Sequence, residues 1–255
     1  MSGFEMTLSH SILAQKLACP FKYFERVEST NDVAKAWLAA GAPAGAVVIA
    51  NEQTRGRGRH GRSWQTPPNE ALALSLILKP EAAQLPRLNM LAALSVYDLA
   101  EEVGCEGVGI KWPNDVQIEG KKVCGLLPEA LWQADRLIGA VLGIGVNVRA
   151  DFDFTPLSER AISLEDGAGR RLDRAELIAA LIFKIERWYR QIAAPGLFAN
   201  WKSRLTTLNQ AVAIGNISGV AIDVLSDGSL LICDESGRIH RTDGGMLQLL
   251  AADGA

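Results

Sequence analysis

Residues 44–79 read "AGAVVIANEQTRGRGRHGRSWQTPPNEALALSLILK". The apolar runs at 44–51 and 71–79 spell two strands, the second one covered on both faces. Between them four arginines, three glycines and a histidine fall within eight residues, Arg55 to Arg62, and Trp64 closes the stretch. The loop lacks GxxxxGK[ST], and no helix begins directly after it, so it is not a P-loop. A bare GxGxxG can be drawn through Gly56, Gly58 and Gly61, but no strand-to-helix unit surrounds it. Strand–loop–strand at this point argues against a doubly wound nucleotide fold.

Outward from the loop, "STNDVAKAWLAAG" predicts a helix capped by Ser29 or Thr30 and ended by Gly41. Residues 86–103 have helical apolar spacing, "GVGIKW" is a strand, "PND" a turn, and "VQIEGKKVCGLL" a hairpin with Glu119-Gly120 at its tip. "RLIGAVLGIGVNV" is a further strand, and a helical region runs from Arg174 to Leu205 with an interruption near Pro195-Gly196. The last 45 or so residues change to short β-like runs between Gly and Asp turns. The expected class is α+β: a mixed or antiparallel sheet flanked by helices over residues 1–207, followed by a small all-β barrel or sandwich over 208–255.

The 255 residues carry 48% hydrophobic and 22% charged side chains and a net charge of −3, the profile of a globular protein rather than a disordered one. A general nucleic-acid binder is usually strongly basic, so the arginines act locally. Cys19, Cys105, Cys124 and Cys233 show no CxxC spacing, which argues against zinc and against a disulfide framework. No charged-then-apolar leader and no apolar run of spanning length is apparent, and a cytoplasmic protein is expected.

Three uses compete for the arginine run: a solvated basic loop, an RGG-like nucleic-acid segment, and a loop that closes over an anionic small molecule. Arginine presents a planar fork suited to phosphate and carboxylate, and glycine admits close backbone approach. Such a loop is expected to order when phosphate charge arrives. In "KWPNDV" a strand aims Lys111 just before a tight turn; it is either a surface lysine or a point charge on a developing anion. In "GIGVN", 143–147, the glycines either pack the strand or let a ligand lie on the backbone, with Asn147 as a polar handle. In "ESTN", 28–31, the hydroxyls either cap a helix or hold a polar ligand head.

Taken in order, "ESTN", "EQTRGRGRHGRSW", "LALSLIL", "KWPND", "KKVCGLLPE" and "LGIGVN" resemble the catalytic core of the biotin–protein ligases over roughly residues 22–150. The β-like C-terminal segment fits that family's second domain, an SH3-like barrel. The resemblance implies that the loop from Gly56 through Gly58 to Arg62 folds over biotinyl-5′-adenylate, with Arg57 and Arg59 near the biotin carboxylate and phosphate. It places Ser29, Thr30, Asn31 and Gln53 at the biotin ring and Trp64 against adenine. Lys111 becomes the lysine of the adenylation centre, and Gly125 and Asn147 line the biotin or nucleotide pocket.

The implied chemistry is attack of the biotin carboxylate on the α-phosphate of ATP, with loss of pyrophosphate. A lysine of a biotin carboxyl carrier domain of a carboxylase then takes the acyl group. Magnesium is expected to travel with ATP through phosphate oxygens and water, with no metal ligand assigned on the protein. Two anions must meet, so a cationic clamp of Arg57, Arg59 and Lys111 is needed.

Two departures stand out. Pro128 in "GLLPE" replaces an apolar residue that has an N–H, which predicts an edge or a bulge there. Only about 20 residues precede the core, too few for a DNA-binding domain, so no nucleic-acid role is expected. A homodimer through edge strands is open. The rival readings are a lipoate or octanoate ligase or transferase of the same fold, a non-catalytic biotin-binding relative, and an RNA-binding module.

Overall fold

A computed structural model describes residues 8–250. The outer limits expected for the two units, 1 and 255, and the first seven residues of the N-terminal leader reading lie outside the described residues. The chain begins with α1 (His10–Lys16), β1 (Phe21–Val27), α2 (Thr30–Ala39), β2 (Val47–Gln53), β3 (Ala71–Leu78) and α3 (Arg87–Glu102). There follow β4 (Val108–Lys111), β5 (Asp115–Ile118), β6 (Lys121–Gln133), β7 (Arg136–Asn147), α4 (Leu164–Ala168), α5 (Arg174–Tyr189) and α6 (Pro195–Ser203). The chain closes with β8 (Ala211–Ile214), β9 (Ile217–Val224), β10 (Leu230–Cys233), β11 (Ile239–Thr242) and β12 (Leu247–Leu249).

Seven strands form one sheet in the order β1-β2-β3-β7-β6-β5-β4. Only β1 and β2 run parallel; the other pairs are antiparallel, so the sheet is mixed, as expected. The other five strands form an antiparallel sheet in the order β11-β10-β9-β8-β12. Helices α3 and α5 pack on one face of the large sheet, within an apolar cluster that runs unbroken into the second sheet through Val212, Ala221, Leu230 and Ile232. On the other face α2 sets Ala34 and Leu38 against Val48, Ile77 and Val141. That two-sided cover explains why all eight residues of β3 are buried.

The face under α2 decides where a site can be. Along β3, Leu72, Leu74 and Leu76 point to the α3 side, while Ala71, Ala73 and Ser75 point to the α2 side. Along β7, Gly143, Gly145 and Asn147 alternate in the same way with Ile144 and Val146. Beyond the reach of α2 the large sheet therefore presents a floor of small residues.

Several details differ from the sequence reading. Ser29 occupies the N-cap position of α2, but its side chain makes no cap hydrogen bond, and the Thr30 hydroxyl is turned to Gln53 instead. Gly41 ends α2 at φ +91°, as expected. Elements α1 and β1 have no counterpart in the sequence reading. Pro128 sits in unbroken register opposite Leu142, beyond the last β5 partner at Gly125, so it lies on a free edge, and the bulge comes later, between Leu131 and Trp132. The second sheet starts at Ala211, just after the expected boundary at 207/208.

The outer edge of β4 is covered. Ile110 N–H donates to the Arg204 carbonyl and Thr206 N–H to the Ile110 carbonyl, each at 2.9 Å. Trp112 N–H donates to the Thr207 hydroxyl at 2.9 Å, and the Trp112 indole donates to the Gly228 carbonyl at 2.8 Å. The wall that carries Lys111 is thereby tied to the C-terminal sheet.

Candidate active site on the glycine face of the sheet

A single cross-strand row builds the centre of the site. Lys111 faces Asp115, Asp115 faces Gly125, Gly125 faces Gly145, and Gly145 faces Ala73. Cross-strand partners share a face, so a lysine and an aspartate stand at one end of a floor made of two glycines and an alanine. Above the floor lies a cavity of about 890 Å³. That is the size of a small-molecule site.

The arginine run roofs this cavity as a short hairpin. Arg57 bridges Ser63, Gly58 N–H donates to the Arg62 carbonyl at 2.7 Å, and Trp64 N–H donates to the Gly56 carbonyl at 2.9 Å. The turn passes through His60 and Gly61, both left-handed at φ 56° and 72°. Gly56 has a structural cause: a Cβ there would sit 2.3 Å from the Trp64 carbonyl oxygen.

Of the residues singled out from the sequence, Ser29, Thr30, Asn31, Gln53, Arg57, Gly58, Arg59, Arg62, Trp64, Lys111, Gly125 and Asn147 all line the cavity. Gly56 does not; it closes the base of the roof. At the α2 end the Gln53 side-chain carbonyl accepts from Thr30 N–H at 2.9 Å and from its hydroxyl at 3.0 Å. Ser75 bonds both the Thr30 hydroxyl (2.8 Å) and the Asn31 side-chain carbonyl (2.5 Å). Asn31 lies directly over Gly143, where an added Cβ would meet its Oδ1 at 2.3 Å. This end is a buried, pre-aligned array of neutral donors and acceptors. Asn147 donates to the carbonyls of Ile162 (3.2 Å) and Lys122 (3.4 Å), fixing the opposite end.

The charged wall differs from expectation in two respects. Arg57 does not point its fork at open space: it grips Asp32 of α2 with Nη1 at 2.6 Å and Nη2 at 2.7 Å. And Lys122, which is not among the residues singled out from the sequence, lines the cavity. Its Nζ lies 2.6 Å from Asp115 and 5.6 Å from the centroid of the Trp64 ring. The signal was in the hairpin: a turn at Glu119-Gly120 folds Lys122 back beside the Asp115 strand. Asp115, a turn residue in the sequence pattern, is the carboxylate paired with Lys122.

Burial pulls the Lys111 ammonium below its usual range; Lys122 and Arg62 add to this, and Asp115 opposes them. Burial likewise pulls Arg59 down, opposed by Asp115 and Asp243 and aided by Arg62. Arg59 also donates to Asn114 at 3.3 Å. Desolvated positive charge of this kind is primed for an anionic ligand. Among the described residues no group of three or more His, Cys, Asp or Glu side chains is gathered as a metal cage, and no helix is long and apolar enough to cross a membrane.

Comparison with known proteins puts this geometry in context. The profile of the biotin/lipoate A/B protein ligase family matches residues 23–147. The chain is 33% identical over 234 residues to the bifunctional ligase/repressor BirA of Bacillus spizizenii, covering 87% of this chain and 72% of that protein. It is 32% identical over 229 residues to the biotin–[acetyl-CoA-carboxylase] ligase of Paracoccus denitrificans, covering 84% of this chain and 94% of the relative. Among solved structures, biotin protein ligase from Aquifex aeolicus in complex with biotin and ATP superposes with a TM-score of 0.76 at 28% identity, over 91% of this chain and 99% of that one.

Proposed function

Because the chain belongs to the biotin/lipoate A/B protein ligase family, we propose that it is a biotin–protein ligase, which activates biotin as biotinyl-5′-AMP at the expense of ATP and passes it to a lysine of a carboxylase's biotin carrier domain. The observation that carries the reading is the glycine row, with neutral hydrogen-bonding groups at one end and Lys111, Lys122, Arg59 and Arg62 at the other.

Each half of that arrangement has its task. Thr30, Gln53 and Asn31, braced from behind by the buried Ser75, suit a neutral, planar, hydrogen-bonding head such as a cyclic urea, which they would orient without charge. The acyl chain would run under the roof from Asn31 towards Lys111, beside the Trp64 indole that sits on Gly145 and Gly125. Its carboxylate would then reach the cationic end. Two anions repel, so the carboxylate and the α-phosphate need positive charge between them; Lys111, Lys122 and Arg59 are placed for that, and they keep it as the pentacovalent phosphorus and the departing pyrophosphate build charge. Arg57, expected in the same role, has its fork committed to Asp32. Magnesium would enter with the triphosphate, held by phosphate oxygens and water, and would offset the leaving group's charge. The roof formed by residues 56–64 shields the mixed anhydride from water until the acceptor amine attacks its carbonyl and AMP leaves.

The division at 207/208, a cytoplasmic setting, the lack of a nucleic-acid role and a homodimer through edge strands belong to the same reading. The test is pyrophosphate release with magnesium-ATP and biotin, lipoate or octanoate as the acid. Release with biotin alone is expected. Release with lipoate or octanoate moves the protein to the neighbouring branch, and silence with all three in folded protein makes it a binding protein.

A further inference from the structure

Five side chains meet at the rim of the cavity, where the roof comes down on α2; Arg57 and Asn31 line the cavity, and Asp32, Lys35 and Glu129 do not. Arg57 holds Asp32 with both guanidinium nitrogens and reaches Glu129 at 3.5 Å. Glu129 also accepts from Lys35 at 2.9 Å and from Asn31 at 2.6 Å. Lys35 closes the ring, lying 3.5 Å from Asp32. Neither carboxylate lines the cavity, so neither is placed to touch the reacting groups.

The three parts joined here are mechanically unequal. Helix α2 is fixed by Ala34 and Leu38, and β6 by its ladder with β7. The roof rests on two isolated bridges and a few backbone bonds. Arg57 lies at the bridge to Ser63, next to Gly56 and Trp64, so whatever holds Arg57 holds the hairpin and the indole with it. Bidentate arginine–carboxylate pairs are directional and strong for their exposure. The Arg57 hydrogen bond is the main cause that keeps the Asp32 carboxyl below its usual range.

We propose that Asp32 is a positioning residue: by gripping Arg57 it latches the arginine–glycine hairpin closed over the glycine floor. Glu129 links that latch to Asn31, and through Asn31 to the neutral end of the cavity. Arg57 then serves as the hasp of the roof. This rests on the ligase reading for its enzymatic readout but not for its mechanical one.

The test compares wild type, Asp32→Asn and Asp32→Glu as full chains, with melting curves to verify folding. Two rates are measured: tryptic nicking at Arg55 to Arg62 without ligand, and loss of labelled biotinyl-adenylate after a chase with unlabelled biotin. Asp32→Asn is expected to raise both by about tenfold, since nicking follows the open population, while the KM values for biotin and ATP stay within about twofold. Asp32→Glu should recover much of both. Wild-type rates in Asp32→Asn overturn the latch. So does a variant that binds ATP more tightly or turns over faster, because Asp32 would then be withholding Arg57 from the ligand. If wild type forms no adenylate, the ligase reading fails, and the nicking comparison still decides the latch.

Discussion

Trp64 lies flat against Gly145: a methyl group added to that glycine would sit 2.4 Å from the indole Cε2 and Nε1. Gly125, opposite it on the neighbouring strand, would bring a methyl to 3.0 Å of Cζ3. The two glycines form the seat of the indole, and the buried Nε1–H has no acceptor among the described residues. Lys122 stands over the ring, which sets a cation, an aromatic face and a bare backbone in one stack.

Gly145→Ala should unseat the indole. Overpacking of this kind costs about 1–3 kcal/mol, and rotation of Trp64 relieves part of it, so the fold should survive. The KM for ATP is expected to rise about tenfold or more, a loss of roughly 1.4 kcal/mol. Acrylamide quenching, read as the difference with and without Trp64→Phe, should show a more accessible indole. Unchanged quenching and unchanged KM would remove the seat from the account.

Lys111→Met should make the protein more stable and less active. In the fold the charged amine is disfavoured, so its pKa lies below the ordinary 10.5. Between the lowered value and 10.5 the unfolded chain binds more protons, so stability rises with pH across that window. Below both values the full cost of the buried charge is present. The substitution should therefore raise Tm by a few degrees at pH 7, with a smaller gain near pH 10, while adenylation falls by about 100-fold or more. A lower Tm at pH 7 would mean that the charge is welcome in the empty site.

Lys122→Gln tests whether the cationic end has one essential amine or two. The substitution leaves Asp115 without its 2.6 Å partner and removes the cation over Trp64. Biotin-dependent pyrophosphate release is expected to drop by about 100-fold, with Tm little changed. Near-normal release would return the assignment to Lys111 alone.

Arg174→Leu probes the scaffold and not the chemistry. The buried guanidinium donates twice to the Ala71 carbonyl and to the side-chain oxygens of Asn51 and Asn69, tying α5 to the ends of β2 and β3. Buried acceptors left unpaired should lower stability by on the order of 3 kcal/mol, or roughly 10 °C in Tm. Adenylation measured well below the new Tm should remain. A specific loss of activity with an intact Tm would make Arg174 part of the site.

Much of this was legible in the chain. Alternating leucine with alanine or serine at 71–76, and glycine with isoleucine or valine at 143–146, states two doubly covered strands with one bare face. Strand β1 escaped because an edge strand with the pattern Phe-Lys-Tyr-Phe-Glu-Arg-Val keeps no period of two. The far half of β6 escaped because Pro128 reads as a stop, whereas on an edge its missing N–H costs no ladder bond. The hairpin tip at Glu119-Gly120 brings Lys122 back towards the Asp115 strand, but the register shift between Val116 and Gln117, which sets their final pairing, is not written in the sequence. The turn of Arg57 onto Asp32 depends on where α2 ends up in space, which no local pattern contains.

The hydrogen bond from the Trp112 indole to the Gly228 carbonyl makes the small C-terminal sheet a buttress for the neighbouring Lys111. Exchanging that sheet for one from a relative would have to keep this carbonyl in place as well as the apolar contacts of Val212, Ala221, Leu230 and Ile232. A graft that shifted Gly228 by an ångström would register as a misaimed amine at the far side of the wall, long before it registered as a loosened tail.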